Sequence, residues 1–150
     1  MWLATCWKVG YLPIPGTFGA LVGVGIVAVL GRVPWGRPWN SLGLLAASAL
    51  VYFVGVHAAG RAEEFFSATD PGHIVIDEVV GQMVTFLLRP DASWKWLLAG
   101  FLLFRLFDVL KPFPAGRAEH LKRGWGVVTD DVLAGIYTLA ALVALGFVFK

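Results

Sequence analysis

The amino-acid sequence predicts an all-α fold: an integral membrane helical bundle of about four to five membrane-embedded helices, with its motif loops on one face. Three observations carry this expectation. The first is composition. Of 150 residues, 58% are hydrophobic and 15% are charged, whereas ordinary soluble domains carry roughly a quarter charged residues, and mean hydropathy is +0.74. The second is the grouping of the charges, which leaves long uncharged runs between them. The third is the placement of the seven tryptophans at the edges of those runs. The length fits one domain over residues 1–150.

Three uncharged runs approach the roughly 20 residues that a bilayer crossing requires. They are Val9 to Gly31, with an apolar core from Phe18 to Leu30; Pro38 to Gly60, centred on Leu42 to Val56; and Val132 to Phe149. Two shorter runs lie between the second and the last. Val79 to Leu88 is bounded by Asp77, Glu78 and Arg89, and fits a tilted span, a re-entrant segment or a short buried helix. Trp96 to Phe104 extends to Phe107 if Arg105 faces the protein interior. Arg61 to Ala68 reads as a short surface helix whose Glu63 and Glu64 face solvent.

Trp2, Trp7, Trp35, Trp39, Trp94, Trp96 and Trp125 all flank these runs, as amphipathic rings at the headgroup level would. With five crossings, residues 1–17, 58–77 and 108–131 share one side, and the links 31–41 and 89–94 share the other. Every candidate motif then falls on the first side. That side carries Lys8, Arg61, Lys111, Arg117, Lys122 and Arg123; the other carries Arg32, Arg37, Arg89, Lys95 and Lys150. The small excess places the motif face in the cytoplasm. Gly19 with Gly23, and Gly55 with Ala59, permit close helix packing. That packing is expected within the chain, and a homo-oligomer is left open.

Other function classes are disfavoured. A net charge of +2 without a basic stripe argues against nucleic-acid binding. The single cysteine, Cys6, can form no internal disulfide and has no metal-ligand partner nearby. Zinc-ligand spacing, a GxSxG element and a phosphate-cradling glycine loop are absent. The N-terminus lacks the basic and apolar regions of a signal peptide.

The chemistry concentrates in three stretches. Gly10 to Gly19 (GYLPIPGTFG) is a Pro- and Gly-rich turn ahead of a helix. It fits either a phosphate-binding helix N-terminus with Thr17 adding a hydroxyl, or a plain helix entry with Thr17 as cap. In DPGHIVIDEVVGQMVT (70–85), a helix starting at Asp77 puts Asp77, Glu78, Gly81, Gln82 and Thr85 on one face. Carboxylates entering an apolar segment are costly unless they pair or bind something. Asp77 and Glu78 fit a hard cation such as Mg2+. Asp70 reads as a turn residue, and His73 as a loop residue able to orient water or contact phosphate.

The third stretch is RLFDVLKPFPAGRAEHLKRGWGVVTDDVLAG, Arg105 to Gly135. Arg105, Asp108 and Lys111 recur toward one side of a helix end that Pro112 closes. They fit a metal ligand with two phosphate-binding cations, or an ion-pair ladder. Lys122 and Arg123 form a basic loop suited to lipid headgroups or substrate phosphate. Asp130 and Asp131 open the last span, with Thr129 as its N-cap. Adjacent helical side chains diverge by about 100°, so one aspartate can bind metal while the other works through water or orients Lys111. Carboxylates, Mg2+ and basic residues together polarise a phosphoryl group and position water.

Four motifs, GYLPIPGTFGAL, IVIDEVVGQM, FRLFDVLKPFPAG and GWGVVTDDVLAG, in this order across residues 10–135, resemble the phosphatidylglycerophosphatase A family. The resemblance implies a Mg2+-dependent phosphatase of the bacterial inner membrane. Its reaction converts phosphatidylglycerophosphate to phosphatidylglycerol. The resemblance further implies that Asp77, Glu78, Asp108, Lys111, Asp130 and Asp131 lie at the active site, with Thr17 and Arg105 close by. Metal is expected on Asp77, Glu78 and one or both of Asp130 and Asp131. Ala20 departs from the serine expected in many members, at a helix-packing position. A small transporter with buried carboxylates is the competing class, but it calls for polar residues at mid-span, and these gather at the ends.

Overall fold

A computed structural model describes residues 2–68, 71–118 and 121–148. Asp70 and Lys150 therefore lie outside the described residues. The described chain is all-helical: α1 (Pro15–Leu30), α2 (Arg37–Phe66), α3 (Ile76–Thr85), α4 (Trp94–Leu110), the short α5 (Ala115–Ala118) and α6 (Gly124–Val148). A 3-10 turn at Val9–Tyr11 precedes α1.

Local sequence explains the boundaries. Pro15 opens α1, where its missing N–H costs nothing. The preceding Ile14 holds a left-handed φ of 57°, a strained conformation for a β-branched residue. Gly36 (φ 85°) and Pro38 open α2. Lys111 closes α4 with a left-handed φ of 41°, its amide donating to the Phe107 carbonyl at 2.8 Å. Pro112, unable to continue a helix, follows.

The helix ends correct two expectations. α2 runs unbroken through Arg61 to Phe66, so RAEEFFSA is not a separate surface helix. α6 begins at Gly124, so Asp130 and Asp131 lie in its second turn, and Thr129 is not its N-cap. Thr129 Oγ1 instead shares a 2.9 Å hydrogen bond with the Tyr52 hydroxyl. Charge ends an uncharged run but not a helix. In α6 the charged pair Asp130 and Asp131 is buried against other elements, whereas in α2 Arg61 and Glu64 stay exposed on a helix that simply continues.

α3 is the central element. It packs against α6 and α1, and every residue but Glu78 is buried, so its polar stripe faces protein rather than an aqueous surface. Gly19 and Gly23 of α1 lie against α3 backbone at Val75 and Val79, which makes that small-residue pair an intramolecular contact. Another close approach is Gly81 to Gly135. A Cβ on Gly135 would overlap the Gly81 carbonyl oxygen, and one on Gly81 would press on the Asp131 carbonyl. These two glycines let α3 and α6 touch backbone to backbone beside the acidic residues. Ala20 is buried with Phe104 and Ala134, a packing position as expected.

Two helices, Arg37–Phe66 and Gly124–Val148, are long and apolar enough to cross a membrane. α3 is not: ten residues rise about 15 Å, half of a hydrocarbon core of about 30 Å. The chain still passes from one end of the bundle to the other. Pro90 meets Gly31 at the end of α1, and Arg37 pairs with Asp91 at 3.1 Å. The links 31–41 and 89–94 thus meet at one end, while the motifs gather at the other. The bundle's outer surface is apolar, with Leu42, Leu45, Phe53, Leu98, Leu102 and Phe147 among the exposed side chains. Trp2, Trp7, Trp35, Trp39, Trp94 and Trp125 are exposed near helix ends. Such a surface suits lipid rather than water, and the chain is a membrane-associated helical bundle.

Candidate active site

The end of the bundle that holds the motifs brings together residues from α1, α3, α4 and α6. Asp77 and Glu78 stand in the first turn of α3, and Asp131 reaches them from α6. Ligand-capable oxygens of these three carboxylates lie within 4.8 Å of one another. Asp77 and Asp131 are 6% and 4% exposed. Asp77 Oδ1 accepts the Glu78 amide at 3.1 Å, which fixes the entry into the helix. Glu78 Oε2 is buried with no hydrogen-bond partner among the described residues. Desolvation by burial pushes the Glu78 carboxyl up to about 7, opposed by a hydrogen bond with Asp77 and by the Arg105 charge.

Three gathered carboxylates, one with an orphaned buried oxygen, form a hard-oxygen donor set that fits a divalent cation. Buried like charges are otherwise unfavourable. Gln82, one turn further along α3, is fully buried with neither amide atom hydrogen-bonded among the described residues. It belongs to the polar stripe expected from the sequence.

Two cations border the trio. Arg105 Nη1 pairs with Asp108 one turn along α4 and lies 3.8 Å from Glu78 Oε1. Lys111 Nζ donates to Asp130 Oδ2 at 2.6 Å. The adjacent aspartates of α6 are therefore divided: Asp131 faces Asp77 and Glu78, and Asp130 faces Lys111. Asp130, expected among the direct metal ligands, lies outside the trio because successive helical side chains diverge. Of the two roles expected for the second aspartate, acting through water or orienting Lys111, the Lys111 hydrogen bond to Asp130 is the contact present.

Gly16, in the first turn of α1, forms the wall opposite α3. A Cβ there would overlap Glu78 Oε1 and crowd the Arg105 guanidinium. The sequence singled out its neighbour Thr17 instead. Thr17 is half-buried within α1, and the cap position is Ile14, so Thr17 does not cap this helix. A glycine between a proline and a helix, on the face toward two ionic side chains, was the available signal.

Three expected substrate contacts are placed elsewhere. His73 Nδ1 is 3.0 Å from the Gly10 carbonyl, and its ring stacks on Tyr11 at 4.9 Å and leans on Phe66. Arg123 (φ 57°) pairs with Glu64 of α2 at 3.4 Å, both largely exposed. Lys122 is exposed beside it. The structure brings none of the three to the carboxylate trio. Cys6 is no nucleophile candidate. Burial first, and then the Glu78 charge, push its thiol up to about 11, which removes thiolate at neutral pH.

A sequence profile of the family described as Phosphatidylglycerophosphatase A matches residues 2–146. A Haemophilus influenzae protein named Phosphatidylglycerophosphatase A is 37% identical over 139 residues, 90% of this chain and 80% of that protein. An Escherichia coli protein of the same name is 30% identical over 146 residues, 96% of this chain and 81% of that one. A Bacteroides thetaiotaomicron protein named "Putative phosphatidylinositol-3-phosphatase" is 39% identical over 134 residues, 86% of this chain and 82% of that protein. No solved structure matches.

Proposed function

Because the chain belongs to the phosphatidylglycerophosphatase A family, and is thus a phosphatase, we propose that it hydrolyses the terminal phosphomonoester of phosphatidylglycerophosphate, releasing phosphatidylglycerol and phosphate. We take the whole chain as one catalytic unit, a multi-pass protein of the bacterial inner membrane with the site on the cytoplasmic face. The observation that carries the chemistry is the Asp77–Glu78–Asp131 trio with two cations at its edge.

In this reading Mg2+ is the cofactor. Asp77, Glu78 and Asp131 hold it, and when bound it supplies charge neutralisation and polarisation of a phosphoryl oxygen. Arg105 and Lys111 bind the remaining phosphate oxygens, with Thr17 at the margin. Asp108 holds the Arg105 guanidinium and Asp130 holds the Lys111 ammonium, so each cation is positioned before substrate arrives. Water is the nucleophile. Its oxygen bonds to phosphorus while the bond from phosphorus to the glycerol oxygen breaks. The electron pair leaves with that oxygen, which takes a proton from solvent. A carboxylate of the cluster accepts the proton lost by water. The alternative is Asp108 as nucleophile, forming an aspartyl-phosphate. The Arg105–Asp108 pair favours water, since a carboxylate held by a guanidinium is a poorer nucleophile. Stereochemistry at a chiral 16O,17O,18O-labelled phosphate distinguishes them: net inversion at phosphorus supports a single displacement by water, and net retention, from two displacements through Asp108, overturns it.

The relative bearing a phosphatidylinositol-3-phosphatase name makes headgroup choice testable. Purified protein should release phosphate from phosphatidylglycerophosphate at least about tenfold faster, per kcat/KM, than from phosphatidylinositol 3-phosphate, a difference of about 1.4 kcal/mol in transition-state binding. The reverse order would transfer the same chemistry to an inositol lipid.

A further inference from the structure

We propose that the groove between the C-terminal half of α2 and the start of α6 is a second lipid site, which holds one anionic phospholipid of the bilayer. Two adjoining cavities form it, and they share His57 and Arg61. One, of about 450 Å3, is lined by Arg61, Glu64, Arg123 and Trp125. The other, of about 610 Å3, is lined by Leu3, Phe53, Val54 and Ala58. No residue of the carboxylate trio, and neither Arg105 nor Lys111, lines either cavity.

The groove is graded along the helix axis. Val54, His57, Arg61 and Glu64 recur at three- and four-residue steps on one face of α2, with Phe53 beside Val54 and four residues before His57. From Phe53 to Glu64 that face rises about 16 Å, from apolar side chains to charged ones. The charged end is the motif end of the bundle, where Trp125 lies in the first turn of α6. An acyl chain over a phosphate headgroup has this gradient, whereas a free phosphate would leave the apolar half uncovered.

Charge also matches. Arg61 makes no ion pair among the described residues, and Arg123 is offset by Glu64 at 3.4 Å. The Arg61, Arg123 and Glu64 side chains therefore give the described lining of the groove one net positive charge, enough for one phosphodiester. The Arg123–Glu64 pair is 78% and 59% exposed, and exposed pairs are weak, so Arg123 can turn to a headgroup at little cost.

Photolabelling of the full-length protein in vesicles tests this site separately from catalysis. The probes are phosphatidylglycerol and phosphatidylcholine, each with a diazirine in the acyl chain, in phosphatidylcholine vesicles. Phosphatidylglycerol should label the apolar segment 53–58 about fivefold more than phosphatidylcholine does, the effect of one cation near a membrane surface. Arg61→Gln should reduce that labelling to the phosphatidylcholine level, with hydrolysis of a soluble short-chain substrate unchanged. Equal labelling by the two lipids in wild type would overturn the proposal without any variant. So would persistence of the preference in a hydrolytically active Arg61→Gln protein. Displacement of the label by millimolar inorganic phosphate would identify a phosphate site and overturn the lipid assignment.

Discussion

Lys111 Nζ lies 2.6 Å from Asp130 Oδ2, tying the left-handed residue that closes α4 to the second turn of α6. Asp130 is 4% exposed, whereas the Lys111 side chain keeps 28% of its surface, so the cation is anchored from inside and open outside. Replacing Lys111 with Ala should lower kcat by about 100-fold or more, the usual cost of removing one preorganised charge donor from a phosphoryl site. Lys111→Arg should retain more activity than Lys111→Ala. Steady-state phosphate release checks both, and near-wild-type kcat in Lys111→Ala would remove this residue from the mechanism.

The two aspartates of α6 should separate in metal binding. Asp131 shares the trio with Asp77 and Glu78, while Asp130 serves Lys111. Asp131→Asn should weaken binding of Mn2+, used as a spectroscopic stand-in, by more than about 100-fold, and Asp130→Asn by no more than about tenfold. Electron paramagnetic resonance titration reads both without turnover. Equal losses would mean that the pair acts as one ligand set.

Gly16 should prove indispensable although it has no side chain. A methyl group there meets Glu78 and Arg105. Gly16→Ala is therefore expected to cost activity while leaving thermal unfolding within the about 1–3 kcal/mol typical of overpacking. Fully active Gly16→Ala would show that α1 yields and that this wall does not define the site.

Cys6 should be slow to alkylate. Its thiol, raised to about 11 by burial and by Glu78, carries less thiolate at pH 7.5 than a free cysteine near 8.5. The iodoacetamide rate should therefore stay below that of free cysteine at pH 7.5, and keep rising between pH 9 and 11. Cys6→Ala should remain active. A fast reaction at neutral pH would contradict the burial argument.

Much of the site was legible because its ingredients are local. Asp77 and Glu78 ahead of Gln82, Arg105 with Asp108 one turn on, and adjacent aspartates announce charge entering apolar helices. Helical geometry also anticipated that the two adjacent α6 aspartates would point apart, as Asp131 toward Asp77 and Glu78 and Asp130 toward Lys111 do. What was not legible depends on distant partners. The sequence of His73 does not reveal the Gly10 carbonyl and Tyr11 ring that hold it. Nor does the basic run at Lys122 and Arg123 reveal Glu64 across the groove. The start of α6 was misplaced because uncharged runs mark apolar surface, whereas Gly124–Val148 stays helical through buried aspartates. Gly81 and Gly135 could have been noticed: each follows an active-site carboxylate by one helical turn, the spacing that lets two backbones meet beside the charges.

The decisive measurement is phosphate release from phosphatidylglycerophosphate by the purified protein, in Mg2+ and in excess chelator, for wild type and Asp77→Asn. The trio as metal site predicts wild-type turnover that is lost in chelator and restored by Mg2+. It also predicts an Asp77→Asn protein that is folded yet slower by about 100-fold or more. Undiminished release in chelator, or full Mg2+-stimulated turnover by Asp77→Asn, would contradict it.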